Sequence, residues 1–97
     1  MQQVSVLGAG SFGTVLANIA SSHVKCVNWW MRDDKQVSEI LKTKQNKRYL
    51  PDYPLADNIY PSTDFATSVK GSELIIIAIP SSGYRKLIKQ LVNLYLH

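Results

Sequence analysis

The sequence predicts an α/β fold built on a parallel, doubly wound sheet. Three observations carry that prediction. A short apolar strand, Val4-Ser5-Val6-Leu7, runs directly into Gly8-Ala9-Gly10-Ser11-Phe12-Gly13, a GxGxxG turn. Strand and helix patterns then alternate along the chain. Finally, Leu74-Ile75-Ile76-Ile77-Ala78-Ile79 is apolar without alternation and rich in β-branched residues, the mark of a strand covered on both faces.

The elements follow in order. Gln3 to Leu7 is the first strand. In the turn beyond it, Gly8 permits the tight bend, Gly10 leaves the backbone open to a pyrophosphate, and Gly13 lets the next helix pack on the sheet. The free N–H groups at the start of that helix face the anion, and its dipole favours the negative charge. The helix opens at Ser11 or Phe12 and places Phe12, Val15, Leu16, Ile19 and Ala20 on one apolar face. Ser21-Ser22-His23 ends it, with His23 at the surface. Lys25 to Trp30 is the second strand. Asp33 or Asp34 caps a second helix with Val37, Ile40 and Leu41 on its inner face, and Lys42 and Lys44 match its C-terminal dipole.

Residues 46–58 contain Pro51 and Pro54 and form an ordered loop. Asn58 to Pro61 is a short third strand, peripheral because Pro61 has no N–H to give a ladder. Thr63-Asp64 caps a helical turn that runs through Val69, and Gly71 closes it. Glu73 to Ile79 is the fourth strand, stopped by Pro80. Tyr84, Leu87, Ile88, Leu91 and Tyr95 mark a last amphipathic helix.

Right-handed crossovers between these strands give the order 3-2-1-4, part of a Rossmann-type sheet. That order puts the apolar fourth strand at an edge. Complete proteins avoid long unprotected edges of this kind. The chain is therefore expected to be the N-terminal part of a longer protein, lacking a C-terminal substrate domain, or to self-associate.

Composition narrows the function. The chain has 97 residues, enough for one small domain, with 45% hydrophobic residues as in ordinary globular proteins. Its one cysteine, Cys26, sits in a strand pattern and reads as a packed thiol, in keeping with a reducing compartment. No cysteine–histidine cluster has metal-ligand spacing, so no metal site is assigned. The N-terminus enters a strand at once, without the pattern of a signal peptide, and no apolar run is long enough to span a membrane. The net charge of +4 is spread over helix ends and polar faces, with no aromatic-interleaved basic stretch. Anionic small molecules, a dinucleotide and a phosphorylated substrate, account for this surface just as well as nucleic acid, and no nucleic-acid partner is assigned.

The second strand bears on the cofactor. An acidic residue roughly 20 positions beyond the glycines accepts hydrogen bonds from the ribose of NAD in this fold. Here the strand runs out through Trp29-Trp30-Met31-Arg32, and no carboxylate stands at its tip. A guanidinium suits a ribose 2′-phosphate and stacks on adenine, so Arg32 favours NADP over NAD. Asp33 is the rival, through a ribose hydroxyl, although capping the next helix is its simpler use. Pro80, in Ile79-Pro80-Ser81-Ser82, stands at the carboxyl end of the fourth strand, where open α/β sheets bind ligands. It either lines the cofactor's path or only ends the strand.

Four stretches in order resemble the N-terminal domain of the bacterial type of NAD(P)-dependent glycerol-3-phosphate dehydrogenase. They are Val6 to Thr14, Trp30-Met31-Arg32-Asp33, Asn46-Lys47-Arg48-Tyr49-Leu50-Pro51 and Ala78-Ile79-Pro80-Ser81. The Asn-x-Arg-Tyr-Leu-Pro loop is the most specific of them. The resemblance implies interconversion of dihydroxyacetone phosphate and sn-glycerol 3-phosphate with NAD(P)H in the cytoplasm, feeding phospholipid synthesis. It also implies cofactor contacts from Ser11, Phe12, Arg32 and Tyr49, with Phe12 also packing at the helix start. For Tyr49, core packing stands beside the cofactor role.

Two departures stand out. His23-Val24 replaces the glycine usual at the turn into the second strand, so that turn is expected to differ locally. The family's catalytic lysines have no counterpart here, so no catalytic residue is assigned and the chain alone is expected to bind without turnover. The competing readings are a fragment of another hydroxyacid dehydrogenase of the same fold and a stand-alone NAD(P)-binding regulatory module.

Overall fold

The computed structural model describes residues 2–96, so Met1 and His97, at the ends of the expected domain, lie outside it. The elements are β1 (Gln3–Leu7), α1 (Ser11–Ser21), β2 (Cys26–Trp30), α2 (Asp34–Thr43), β3 (Ile59–Ser62), α3 (Phe65–Val69), β4 (Leu74–Ile77) and α4 (Ser81–Leu96). All strand pairs are parallel, in the order β3-β2-β1-β4. The expected order is therefore observed, and the strand order reverses between β1 and β4.

Neighbouring tryptophans show how the sheet is covered. Side chains alternate along a strand, so Trp29 and Trp30 of β2 enter different layers. Trp29 packs with Val6, Ala17, Val27, Ile40 and Ile59 in the layer formed with α1 and α2. Trp30 packs with Leu7, Val69 and Leu87 in the layer formed with α3 and α4, and meets Phe65 edge-on with ring centroids 5.3 Å apart. Ser5 is fully buried on that second face, where its hydroxyl bonds Ser68 O and Ser72 Oγ.

Several expected boundaries move, each for a visible reason. β2 begins at Cys26 and β3 runs Ile59–Ser62, one residue beyond the predicted span. Asn58 does other work: its Nδ2 donates to Ser21 O at 2.8 Å and Val24 O at 3.1 Å. That holds the α1–β2 turn without a left-handed residue, and neither His23 nor Val24 has a positive φ. β4 is shorter than predicted because β1 bends away at Gly8, although Glu73 N and Ala78 N still bond Gln3 O and Leu7 O.

The helix faces also differ from the periodicity. In α1 the buried residues are Gly13, Thr14 and Ala17, small enough to bring the helix close to the sheet, whereas Phe12 and Ile19 are exposed. Leu41 of α2 and Tyr84 and Tyr95 of α4 are likewise exposed, while Ile40 and Leu87 are buried. The caps are as expected. Asp33 accepts from Lys35 N at 2.9 Å and Asp64 from Thr67 N at 3.2 Å. The Thr67 amide holds the Asp64 carboxyl below its ordinary pKa.

Candidate functional site

The glycine turn begins where β1 ends. Gly8 has φ of 118°, a conformation that side chains with a Cβ rarely adopt, and a Cβ there would also overlap the Ala78 carbonyl. A Cβ on Gly13 would overlap Gly8 O, so this glycine seats α1 against the turn. Gly10 is different. It is the N-cap of α1 with φ of −77°, and nothing lies within 4 Å of the position a Cβ would take. The backbone at Gly10 therefore borders open space. No side chain caps the first turn of α1, so its N–H groups are left to an incoming anion.

That space belongs to a groove across the carboxyl ends of β1, β2 and β4, at the point where the strand order reverses. Gly8, Ala9 and Gly10 form its floor. Along one wall stand Arg32, Asp33, Arg48 and Tyr49, and along the other Ala78, Ile79, Pro80 and Lys86. Three cations and one carboxylate thus line the groove. The carboxylate is already engaged, since Asp33 caps α2 and lies 3.9 Å from Arg48. Both partners of that ion pair are well exposed, so it restrains Arg48 weakly. Open backbone, an uncapped helix start and flanking guanidinium groups together fit a dinucleotide carrying a diphosphate.

Of the residues expected at the site, Gly8, Gly10, Arg32, Tyr49 and Pro80 line this groove. Tyr49 is 40% exposed with the Arg48 guanidinium 5.4 Å from its ring centroid, so the core-packing alternative does not hold. Ser11, Phe12 and Gly13 are not among the lining residues. Ser11 Oγ instead donates to Tyr49 O at 2.9 Å, tying the helix start to the loop. Phe12 is 69% exposed and does not pack at the helix start, because α1 is seated through Gly13, Thr14 and Ala17.

Sequence reasoning missed four contributors. Arg48 was visible as the neighbour of Tyr49, and Lys86 lies on α4 beyond Pro80, close enough in sequence to have been considered. Gln36 gave no signal, since a polar residue in a helix reads as solvated, and Asn46 stood out only as the first residue of the Asn-x-Arg-Tyr-Leu-Pro loop, without a role. Among the described residues no three His, Cys, Asp or Glu side chains are grouped to hold a metal ion.

Comparison with known proteins agrees with this geometry. Residues 3–97 match the family model described as NAD-dependent glycerol-3-phosphate dehydrogenase N-terminus. The chain is 41% identical over 86 residues to glycerol-3-phosphate dehydrogenase [NAD(P)+] of Saccharophagus degradans, covering 89% of this chain and 24% of that protein. It is 42% identical over 88 residues to the protein of the same description from Azotobacter vinelandii, covering 91% and 26%. The chain thus spans about a quarter of the length of these curated relatives. Among solved structures, glycerol-3-phosphate dehydrogenase from Coxiella burnetii superposes with a TM-score of 0.86 at 32% identity, over 96% of this chain and 29% of that one. The glycerol-3-phosphate dehydrogenase of Plasmodium falciparum, with a TM-score of 0.88 at 22% identity over 95% and 28%, shares the fold.

Proposed function

The chain belongs to the glycerol-3-phosphate dehydrogenase family, whose NAD-dependent N-terminal part it matches, and from that premise we propose that its groove binds NADP in preference to NAD. The carrying observation is the cationic groove at the strand-order reversal, floored by Gly8 to Gly10 and flanked by Arg32. Backbone N–H groups at the start of α1 take the diphosphate. Arg32 takes the 2′-phosphate at the adenosine end, and Arg48, loosely held by Asp33, supplies a second cation there. Tyr49 offers an aromatic face in the same wall, and Ile79-Pro80 borders the cofactor at the mouth of β4. Ser11 acts through its bond to Tyr49 O.

Within a full-length member, this domain serves the interconversion of dihydroxyacetone phosphate and sn-glycerol 3-phosphate, a cytoplasmic reaction that feeds glycerophospholipid synthesis. The bound nicotinamide supplies hydride transfer. The residues of this chain bind and orient the dinucleotide, and the groups that handle the triose phosphate come from a C-terminal substrate domain. On this reading the 97-residue chain binds cofactor and does not turn it over. The outer edge of β4 and the exposed face of α4 are the surfaces on which that remaining protein packs, or on which copies of the chain associate.

Titration of the 97-residue chain with NADPH and NADH tests the cofactor reading. Arg32→Ala is expected to weaken NADPH roughly tenfold to a hundredfold and NADH far less, the size of a lost charge-assisted contact. Equal losses for both cofactors would remove the 2′-phosphate role of Arg32.

A further inference from the structure

The glycine turn does not hold its shape alone. Each of its carbonyls is drawn to the protein side. Trp29 Nε1 donates to Gly8 O at 2.7 Å. Gln36 Nε2 and Asn46 Nδ2 both donate to Ala9 O, each at 2.9 Å. Thr14 Oγ1 donates to Gly10 O at 2.6 Å. Asn46 is the hub of this set. Its second amide hydrogen goes to Thr14 Oγ1 at 2.8 Å, and its Oδ1 accepts from Gln36 Nε2 at 3.1 Å.

The peptide bonds of the described residues are trans. In a trans peptide the N–H points opposite to the C=O of the same plane. Pulling Ala9 O toward Asn46 and Gln36 therefore turns the Gly10 N–H away from them. The hydroxyl of Thr14 is directed in the same way. It receives from Asn46, so its own proton is committed to Gly10 O, which fixes the plane carrying the Ser11 N–H. Asn46 is 1% exposed and Thr14 fully buried, so water cannot replace these bonds cheaply. The surrounding loop is itself anchored at Asn46, whose carbonyl accepts from Leu50 N at 2.8 Å.

We propose that Asn46, assisted by Gln36, is a positioning residue for the cofactor diphosphate: it fixes the peptide planes at Ala9 and Gly10 so that the Gly10 and Ser11 N–H groups are presented together. It touches no part of the ligand and acts through the turn. The proposal deepens the dinucleotide reading and rests on it. The side chain of Asn46 serves the phosphate turn, while its backbone carbonyl, which a side-chain substitution leaves in place, holds the loop that carries Arg48 and Tyr49.

The test separates the two ends of the ligand. NADPH carries a diphosphate, whereas adenosine 2′-monophosphate carries the adenosine and 2′-phosphate alone. In the 97-residue chain, Asn46→Leu removes the donors without adding charge. It is expected to weaken NADPH on the order of tenfold or more while leaving adenosine 2′-monophosphate within about twofold of wild type. Gln36→Met removes one donor at a half-buried helix position that tolerates the change, so it decides the matter even if Asn46→Leu does not fold. It should give the same split at smaller size. Without ligand, the Gly10 and Ser11 amide resonances should shift in both variants. Parallel loss of both probes, or a folded variant with wild-type NADPH affinity, overturns the positioning role. Wild-type protein that binds neither probe overturns the dinucleotide reading, and this proposal with it.

Discussion

At the scale of single residues, Gly10 separates binding from folding more cleanly than its two partners. Gly8 and Gly13 are fixed by contacts inside the fold, where a Cβ would meet backbone. Gly10 has an ordinary φ and open space beside it. Gly10→Ala should therefore fold with wild-type or slightly higher stability, since alanine loses less chain entropy than glycine. Its methyl group would occupy the space left for the diphosphate, and NADPH affinity should fall on the order of tenfold or more. A urea midpoint and a cofactor titration on the same preparation check both halves. An unfolded variant, or one that binds normally, would show that the open space at Gly10 is not the phosphate approach. The same scale shows what a sequence hides. The glycines and Arg32 were legible because their chemistry follows from position in a motif. Asn46 was legible only as part of a motif, and its role was not, because its partners Ala9 and Thr14 are brought to it only by the fold.

Among the elements, α3 is the clearest case of a short helix held by one side chain. It has five residues, too few to persist by propensity, and Asp64 caps it through the Thr67 amide. That bond lowers the carboxyl pKa, so the sign of its pH dependence is fixed. The cap contributes stability above the ordinary aspartate pKa and loses it as pH falls through the lowered value. Asp64→Ala should thus lower the urea midpoint at pH 7, and the difference should narrow as the pH falls below the ordinary aspartate range. The bonds from Ser68 to the Asp64 carbonyl survive the substitution, so the comparison isolates the carboxylate. A difference that persisted in acid would assign the effect to something other than the charged cap. Element order and strand order were legible because periodicity and crossover handedness determine them. Helix faces were less so. Periodicity marked Phe12, Ile19 and Leu41 as inward, but α1 turns Gly13, Thr14 and Ala17 to the sheet, which leaves Phe12 and Ile19 on its outer side, and Leu41 of α2 is exposed beside buried Ile40. The missing glycine at the α1–β2 turn was read as a local change. Its remedy, the Asn58 amide on Ser21 O and Val24 O, comes from across the sheet.

For the whole molecule, the arrangement that builds the cofactor groove also leaves β4 at the margin of the sheet. Among the described residues β4 pairs with β1 alone. Its sequence Leu-Ile-Ile-Ile carries no charge, proline or bulge to blunt the edge, and Leu74 is 42% exposed. Tyr84, Val92 and Tyr95 add exposed apolar surface on α4. On the proposed reading, these edge backbone groups and this surface are where copies of the 97-residue chain would associate. Sedimentation velocity should then give a sedimentation coefficient that rises with protein concentration. Leu74→Lys places a charge at the exposed start of the edge, where the half-exposed position tolerates it, and should shift the distribution toward monomer. NADPH affinity should be unchanged, because the groove lies at the other end of β4. A wild-type chain that sediments as a monomer at every concentration would mean that twist and the short length of β4 already protect the edge. If Leu74→Lys instead lost cofactor affinity along with association, the groove would depend on the contact between copies, and the two ends of β4 would be one functional surface.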